Sequence, residues 1–195
     1  MPAVAAKTAD TARPVETSSF FDASLGRVRE TRALGPVLDL ACGRGRHTLA
    51  CTDAGLPAIG LDRSADHLAE LAASHRARSR TQTNAALLCA RTDLEAGLGI
   101  PVDTGSCGSI LVFRFLFRPL AGAITDALAP GGLLVYETFT REQRSLGYGP
   151  TRDDFLLAPG ELRDLFPALE TLEYDEGLID APTPRHTARL LARKR

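Results

Sequence analysis

The sequence predicts an α/β fold: a parallel sheet with helices on both faces, closed by an antiparallel hairpin at the C-terminal end. Three observations predict it. From Gly35 to Thr140, short apolar runs alternate with stretches of helical spacing, the signature of successive strand–helix units. The runs are near-continuous in apolar character, as strands buried on both faces must be. Two later strand-like segments are separated only by "APTP", too few residues for a crossover helix, so they pair antiparallel.

The elements follow in order. The N-terminal "MPAVAAKTADTARP" is Ala/Thr-rich with little bulky apolar content, and residues 1–18 read as a flexible tail ahead of a single domain, residues 19–195. Phe20, Phe21, Leu25, Val28 and Leu34 recur at helical spacing until Gly35-Pro36 stops the helix. "VLDLA" is the first strand and "GRHTLACTDAG" a helix ending at Gly55. "PAIGLD" is the second strand; Ser64 caps the helix "SADHLAELAASHRARSR". "AALLCARTDLE" gives a third strand ending near Asp93, and "CGSILVFRFL" a fourth. "PLAGAITDALAP" is a helix and "GGLLVYETFT" the fifth strand. "SLGYGPTRDDFLLAPG" is a long Gly/Pro loop and "APGELRDLF" a short helix, before the hairpin of "LETLEYDEGLID" and "RHTARLLARK".

Composition narrows the function. With 44% apolar and 24% charged residues, the chain is of the soluble globular class. A net charge of −1 gives no electrostatic reason to expect nucleic acid or membrane as a partner. Cys42, Cys51, Cys89 and Cys107 form no C-x-x-C pair, which points to a reducing compartment and no structural zinc. No apolar stretch reaches the roughly 18 residues that span a bilayer, and the N-terminal residues have no signal-peptide core. The expected location is cytoplasmic, and the expected state is monomer or homodimer.

The chemistry gathers at strand ends, where open α/β sheets bind ligands. Gly43 and Gly45 allow a tight strand-to-helix turn that aims helix N–H groups at a ligand. A dinucleotide fingerprint needs a third glycine three residues on, where Thr48 stands. A triphosphate loop needs Gly-Lys-Ser/Thr, which "GRGRHT" lacks. Asp39 beside the turn repels pyrophosphate and attracts an amine, so a zwitterionic ligand fits. Asp62, ending the second strand, suits two ribose hydroxyls; Asp93, after the third, suits an exocyclic adenine amine. Amino acid, ribose and adenine together describe S-adenosylmethionine.

"VLDLACGRGRH", "AIGLDRS", "ARTDLEAG", "ILVFRFLFRPL" and "APGGLLVYETF" resemble the successive motifs of class I S-adenosylmethionine-dependent methyltransferases. "ACGxGRH" with "PGGxLxYETF" and "FLLxPGEL" resembles a bacterial small-molecule branch related to the tellurite-resistance-type enzymes. The resemblance implies a Rossmann-like seven-stranded sheet with its last strand antiparallel. It implies the methionine end of the cofactor in the turn, at Asp39, Ala41, Cys42, Gly43 and Gly45, with His47 alongside. It implies Asp62 on the ribose, Arg63 beside the adenine, Asp93 and Leu94 at the adenine edge, and Phe113 to Phe115 beneath the cofactor near the methyl. Departures fall on the acceptor side: Gly108 where an acid commonly begins the fourth strand, Arg114 where a small polar residue is frequent, and Phe117 where His is frequent. Ala41 replaces the commoner glycine of the turn.

The implied activity moves a methyl to a small-molecule acceptor by in-line displacement, which asks mainly for positioning. Arg114, to clamp an anion, with Glu137 and Tyr148, are the candidate catalytic residues; Tyr148 and Arg152 lie in a loop that could serve as a lid. Two other readings stay open: an NAD-dependent or nucleotide-sugar oxidoreductase, and a non-catalytic regulatory protein that binds S-adenosylmethionine.

Overall fold

The computed structural model describes residues 16–80, 84–97, 99–180 and 183–195. Of the expected tail, residues 1–15 lie outside the described residues, as do Ala181 and Pro182 of the "APTP" turn. Glu16 to Ser18 are not a free tail. Ser18 is buried and caps the first helix, α1 (Ser19–Glu30), accepting a hydrogen bond from Phe20 N through its side chain.

Strand β1 (Val37–Leu40), helix α2 (Arg46–Asp53), strand β2 (Ala58–Asp62), helix α3 (Ala65–Arg78) and strand β3 (Leu87–Arg91) build the first half of the sheet. Strand β4 (Cys107–Phe113), helix α4 (Ala121–Ala127) and strand β5 (Leu128–Phe139) continue it. A four-residue helix α5 (Glu161–Asp164) precedes the hairpin of β6 (Leu169–Ile179) and β7 (Arg185–Lys194). The seven strands lie in the order β3-β2-β1-β4-β5-β7-β6. Pairings among β1 to β5 are parallel, and β7 lies antiparallel between β5 and β6. This is the predicted mixed sheet. Strand order reverses between β1 and β4, so a crevice opens beside their C-terminal ends.

Period-two alternation divides the strands between two cores. Leu38, Leu40, Ile110, Val112, Leu134 and Tyr136 face one side, with Ile124 of α4 and Leu162 of α5. Val37, Leu111, Phe113, Leu133 and Val135 face the other, with Phe21 and Val28 of α1 and Cys51 of α2. The helix expected to reach Pro130 stops at Ala127. Leu128 already pairs with Cys107, and the register shifts before Ser109 meets Leu133, so "LAPGG" forms an irregular strand entry. The preference of a residue before proline for extended backbone explains the early stop. Gly108 has a steric cause: a Cβ there would sit 2.5 Å from the Thr31 carbonyl oxygen and 2.7 Å from that of Gly35. The space an acidic side chain would need is filled by backbone.

Candidate functional site

The turn after β1 is built from left-handed residues. Ala41, Gly43 and Gly45 have φ of +53°, +56° and +76°. For Ala41 this conformation costs roughly 1–2 kcal/mol. Cys42 N–H donates to the Leu61 carbonyl at 2.9 Å, and Gly45 N–H to the Cys42 carbonyl at 2.9 Å. A Cβ on Gly45 would lie 2.3 Å from Leu71 Cδ1, so only glycine lets α3 pack this close to the start of α2.

Gly45 has no side chain with which to cap α2. Asp39 supplies part of that cap from β1: Thr48, third residue of α2, donates its hydroxyl to Asp39 Oδ2 at 2.6 Å. Burial lifts the Asp39 carboxyl to about 7, against the lowering effects of Thr48 and Arg46. Asp39 lines neither of the cavities described below. It stands behind the turn and holds strand to helix, rather than facing the ligand as the sequence suggested.

A cavity of about 470 Å³ lies at the C-terminal ends of β1, β2 and β4, a size that suits a small-molecule ligand. Ala41, Gly43, Asp62, Arg63, Asp93 and Leu94 all line it. Asp62 Oδ2 accepts from Gly43 N–H at 2.7 Å and Oδ1 from Ser64 N–H at 2.8 Å. Asp62 therefore ties the glycine turn to the loop after β2, and each oxygen keeps a lone pair for a ligand hydroxyl. Asp93 is exposed and accepts from Glu95 N–H at 3.0 Å, while Leu94 beside it is buried. Arg63 pairs with Glu95 at 3.5 Å on the rim.

An adjoining cavity of about 430 Å³ is lined by Cys42, Gly43, Gly45, Arg46 and Phe113. Like Gly43 and His67, Arg114 lines both cavities. Its φ is +57°, and its N–H donates to the Glu137 carbonyl at 2.9 Å. Burial and the Arg185 charge lower its pKa. His47 lines neither cavity. Its ring lies 3.9 Å from that of Phe113 and 4.9 Å from that of Phe21, and Nε2 accepts from Ser18 N–H at 3.1 Å. Burial, with Arg46 and Arg114 nearby, pushes its pKa down to about 2. It is a neutral acceptor that fixes the start of α1, the bracing role rather than a ligand contact.

The three expected catalytic residues do not converge. Glu137 is 1% exposed and lines neither cavity. It lies on the α1 side of the sheet, where Oε2 accepts from Ser18 Oγ at 2.5 Å and Oε1 is 3.9 Å from Arg185 Nε. Tyr148 is exposed and donates its hydroxyl to the Pro184 carbonyl near the hairpin turn. From the same long loop, Pro150 and Phe155 reach the larger cavity instead, which Phe115, Leu116, Thr138 and Phe139 also line. Loop residues carry no periodic signal, so the sequence reading missed them. It also missed the fork beside Phe155. Arg118 donates to both Glu161 oxygens, to the Asp154 carbonyl at 3.1 Å and to the Leu156 carbonyl at 2.9 Å. Among the described residues, no group of three or more His, Cys, Asp and Glu side chains could hold a metal ion.

No protein-family model matches the chain, and no curated protein sequence matches it. Solved structures do. TehB from Haemophilus influenzae superposes with a TM-score of 0.67 at 22% identity, covering 87% of this chain and 62% of that one. The [4+2]-cyclase SpnF gives 0.65 at 15% identity, over 89% and 80% of the two chains. Magnesium protoporphyrin IX methyltransferase from Synechocystis PCC 6803, solved with bound S-adenosylhomocysteine, gives 0.66 at 14% identity, over 90% and 81%. The chain thus spans less than two thirds of the length of the first of these. Its fold is the Rossmann-like fold of the S-adenosylmethionine-dependent methyltransferases.

Proposed function

We propose that this chain transfers the methyl group of S-adenosylmethionine to a small-molecule acceptor. One observation carries the reading: Asp62, Asp93 and Leu94 share a single cavity with the Gly43 turn. The residue types fit the cofactor part by part. Asp62 offers two carboxylate oxygens to a pair of ribose hydroxyls, and Asp93 offers an acceptor to an exocyclic amine beside the apolar Leu94. Gly43 has open space at its Cβ position, so its backbone can approach a ligand closely. The bound structure of the Synechocystis enzyme supports the same cofactor for this fold.

S-adenosylmethionine supplies a methyl already activated on a sulfonium, whose sulfur leaves as a neutral thioether. The chain has then to hold the acceptor atom on the line of the C–S bond. Such positioning supplies about 7–11 kcal/mol in favourable cases. In the transfer the acceptor's lone pair forms the new bond to carbon and the C–S pair returns to sulfur. Glu137 is engaged by Ser18 away from both cavities, so the reading assigns it no proton transfer.

Calorimetry tests the assignment. S-adenosylhomocysteine is expected to bind and NAD is not. Asp62→Asn weakens that binding by roughly tenfold, as expected for loss of a charge-assisted hydrogen bond. A chain that binds NAD and not S-adenosylhomocysteine is not the enzyme proposed. A coupled assay of S-adenosylhomocysteine release then reports turnover.

A further inference from the structure

Strand order divides the lining of the larger cavity. Asp62, Ser64, Thr92 and Asp93 lie at or just after the ends of β2 and β3, on one side of β1. Phe115 and Phe139 lie at the ends of β4 and β5 on the other side, where Pro150 and Phe155 of the long loop also line the cavity. Arg114, directly after β4, lines the same cavity. Its guanidinium makes no hydrogen bond or ion pair among the described residues, whereas Arg118, Arg144, Arg152 and Arg189 each have a carboxylate partner.

The polar end meets the needs of the adenosine. What remains for the acceptor is an apolar part with three aromatic rings, together with the Arg114 guanidinium. Resting on the methyltransferase reading, we infer that the acceptor is a small aromatic carboxylate, its ring against Phe139 and Phe155 and its anion on Arg114.

Three observations favour this class. Phe155 is held twice: Arg118 bonds the backbone carbonyls of Asp154 and Leu156 on either side of it, and the Arg152 guanidinium lies 5.3 Å from its ring centroid. A ring that is already positioned can stack without further ordering. Arg114 keeps an unfavourable backbone, φ +57°, at the junction of the two cavities. Strain of this kind persists where the surroundings enforce it, often at ligand sites. Finally, a planar guanidinium with several donors fits a carboxylate better than it fits a neutral polar group. A cationic acceptor would meet Arg114 with no carboxylate at the apolar end to offset it.

The test uses the full chain saturated with S-adenosylhomocysteine and three probes: benzoate, benzamide and acetate. Benzoate keeps ring and charge, benzamide only the ring, acetate only the charge. Benzoate is expected to bind roughly tenfold or more tighter than either of the others in calorimetry. Arg114→Gln erases the gap between benzoate and benzamide. Phe155→Ala narrows the gap between benzoate and acetate by several-fold. Thermal unfolding shows whether each variant is folded; should Arg114→Gln not fold, Arg114→Lys must weaken benzoate while leaving benzamide unchanged. Equal binding of benzoate and benzamide, equal binding of benzoate and acetate, or no binding of benzoate overturns the inference and leaves the cofactor reading standing. Failure of S-adenosylhomocysteine to bind removes the cofactor reading, and this inference with it.

Discussion

The carboxyl of Asp39 sets a pH dependence that a single substitution should remove. Burial raises its pKa from 3.8 to about 7 in the folded chain. In the unfolded chain it titrates near the ordinary value. Between those values the native state keeps a proton that the unfolded state has lost, so stability falls as pH rises. Below pH ~4 both states are protonated and the effect vanishes. Above about 7 both are ionised and the loss is complete. From 3.8 to about 7, at 1.36 kcal/mol for each tenfold change in the protonation equilibrium, the full effect is about 4 kcal/mol. Asn has nearly the same shape as the protonated acid and can still accept from Thr48 Oγ1. The Asp39→Asn variant should therefore match the wild type near pH ~4 and exceed it by about 4 kcal/mol near pH ~8. Urea unfolding across that range measures the difference. A difference that stays constant with pH would refute the reasoning, because it would mean that Asp39 is ionised in the fold despite its burial. Other acids and bases titrate in the same range, but they do so in both proteins and cancel.

Further predictions test the backbone and the loop. Gly45→Ala combines a left-handed φ with a Cβ 2.3 Å from Leu71 Cδ1, and should cost about 2–4 kcal/mol in urea unfolding. Gly108→Ala should cost more than Gly45→Ala, because its Cβ meets the Thr31 and Gly35 carbonyls, which cannot rotate away as Leu71 can. Ala41→Gly relieves a left-handed alanine at some gain in unfolded-state freedom, so a net stabilisation of about 0.5–1 kcal/mol is expected. Arg118→Gln removes the fork under the 153–156 turn. With a third of that side chain exposed, a stability loss of about 1–2 kcal/mol should accompany faster proteolytic cleavage within 147–158.

The sheet was legible because its strands announce themselves twice, by near-continuous apolar runs and by the turn residues between them. Asp62 was legible for a similar reason: it is the last residue of a clear strand, next to the glycine turn it bonds. Asp39 and Glu137 resisted the same rule. Both are acids in or at the end of apolar strands, yet neither lines a cavity. In β5, Val135 and Glu137 share the face covered by α1, while Tyr136 and Thr138 share the other, so a shift of one residue decides whether an acid meets a ligand or a helix cap. The partner that takes Glu137 is Ser18, 119 positions away in the sequence. No local pattern encodes that contact. It exists because α1 packs across the strands, with Phe21 against Phe113. Pro150 and Phe155 illustrate the opposite limit. Their loop has no period to read, and the place of Phe155 at the cavity follows from Arg118, which sits in another segment. Asp62, Asp93 and Leu94 lie within a few positions of strand ends and can be found by position alone. The aromatic residues of the cavity come from three segments brought together by long-range hydrogen bonds, so their identity depends on contacts that only the folded chain contains.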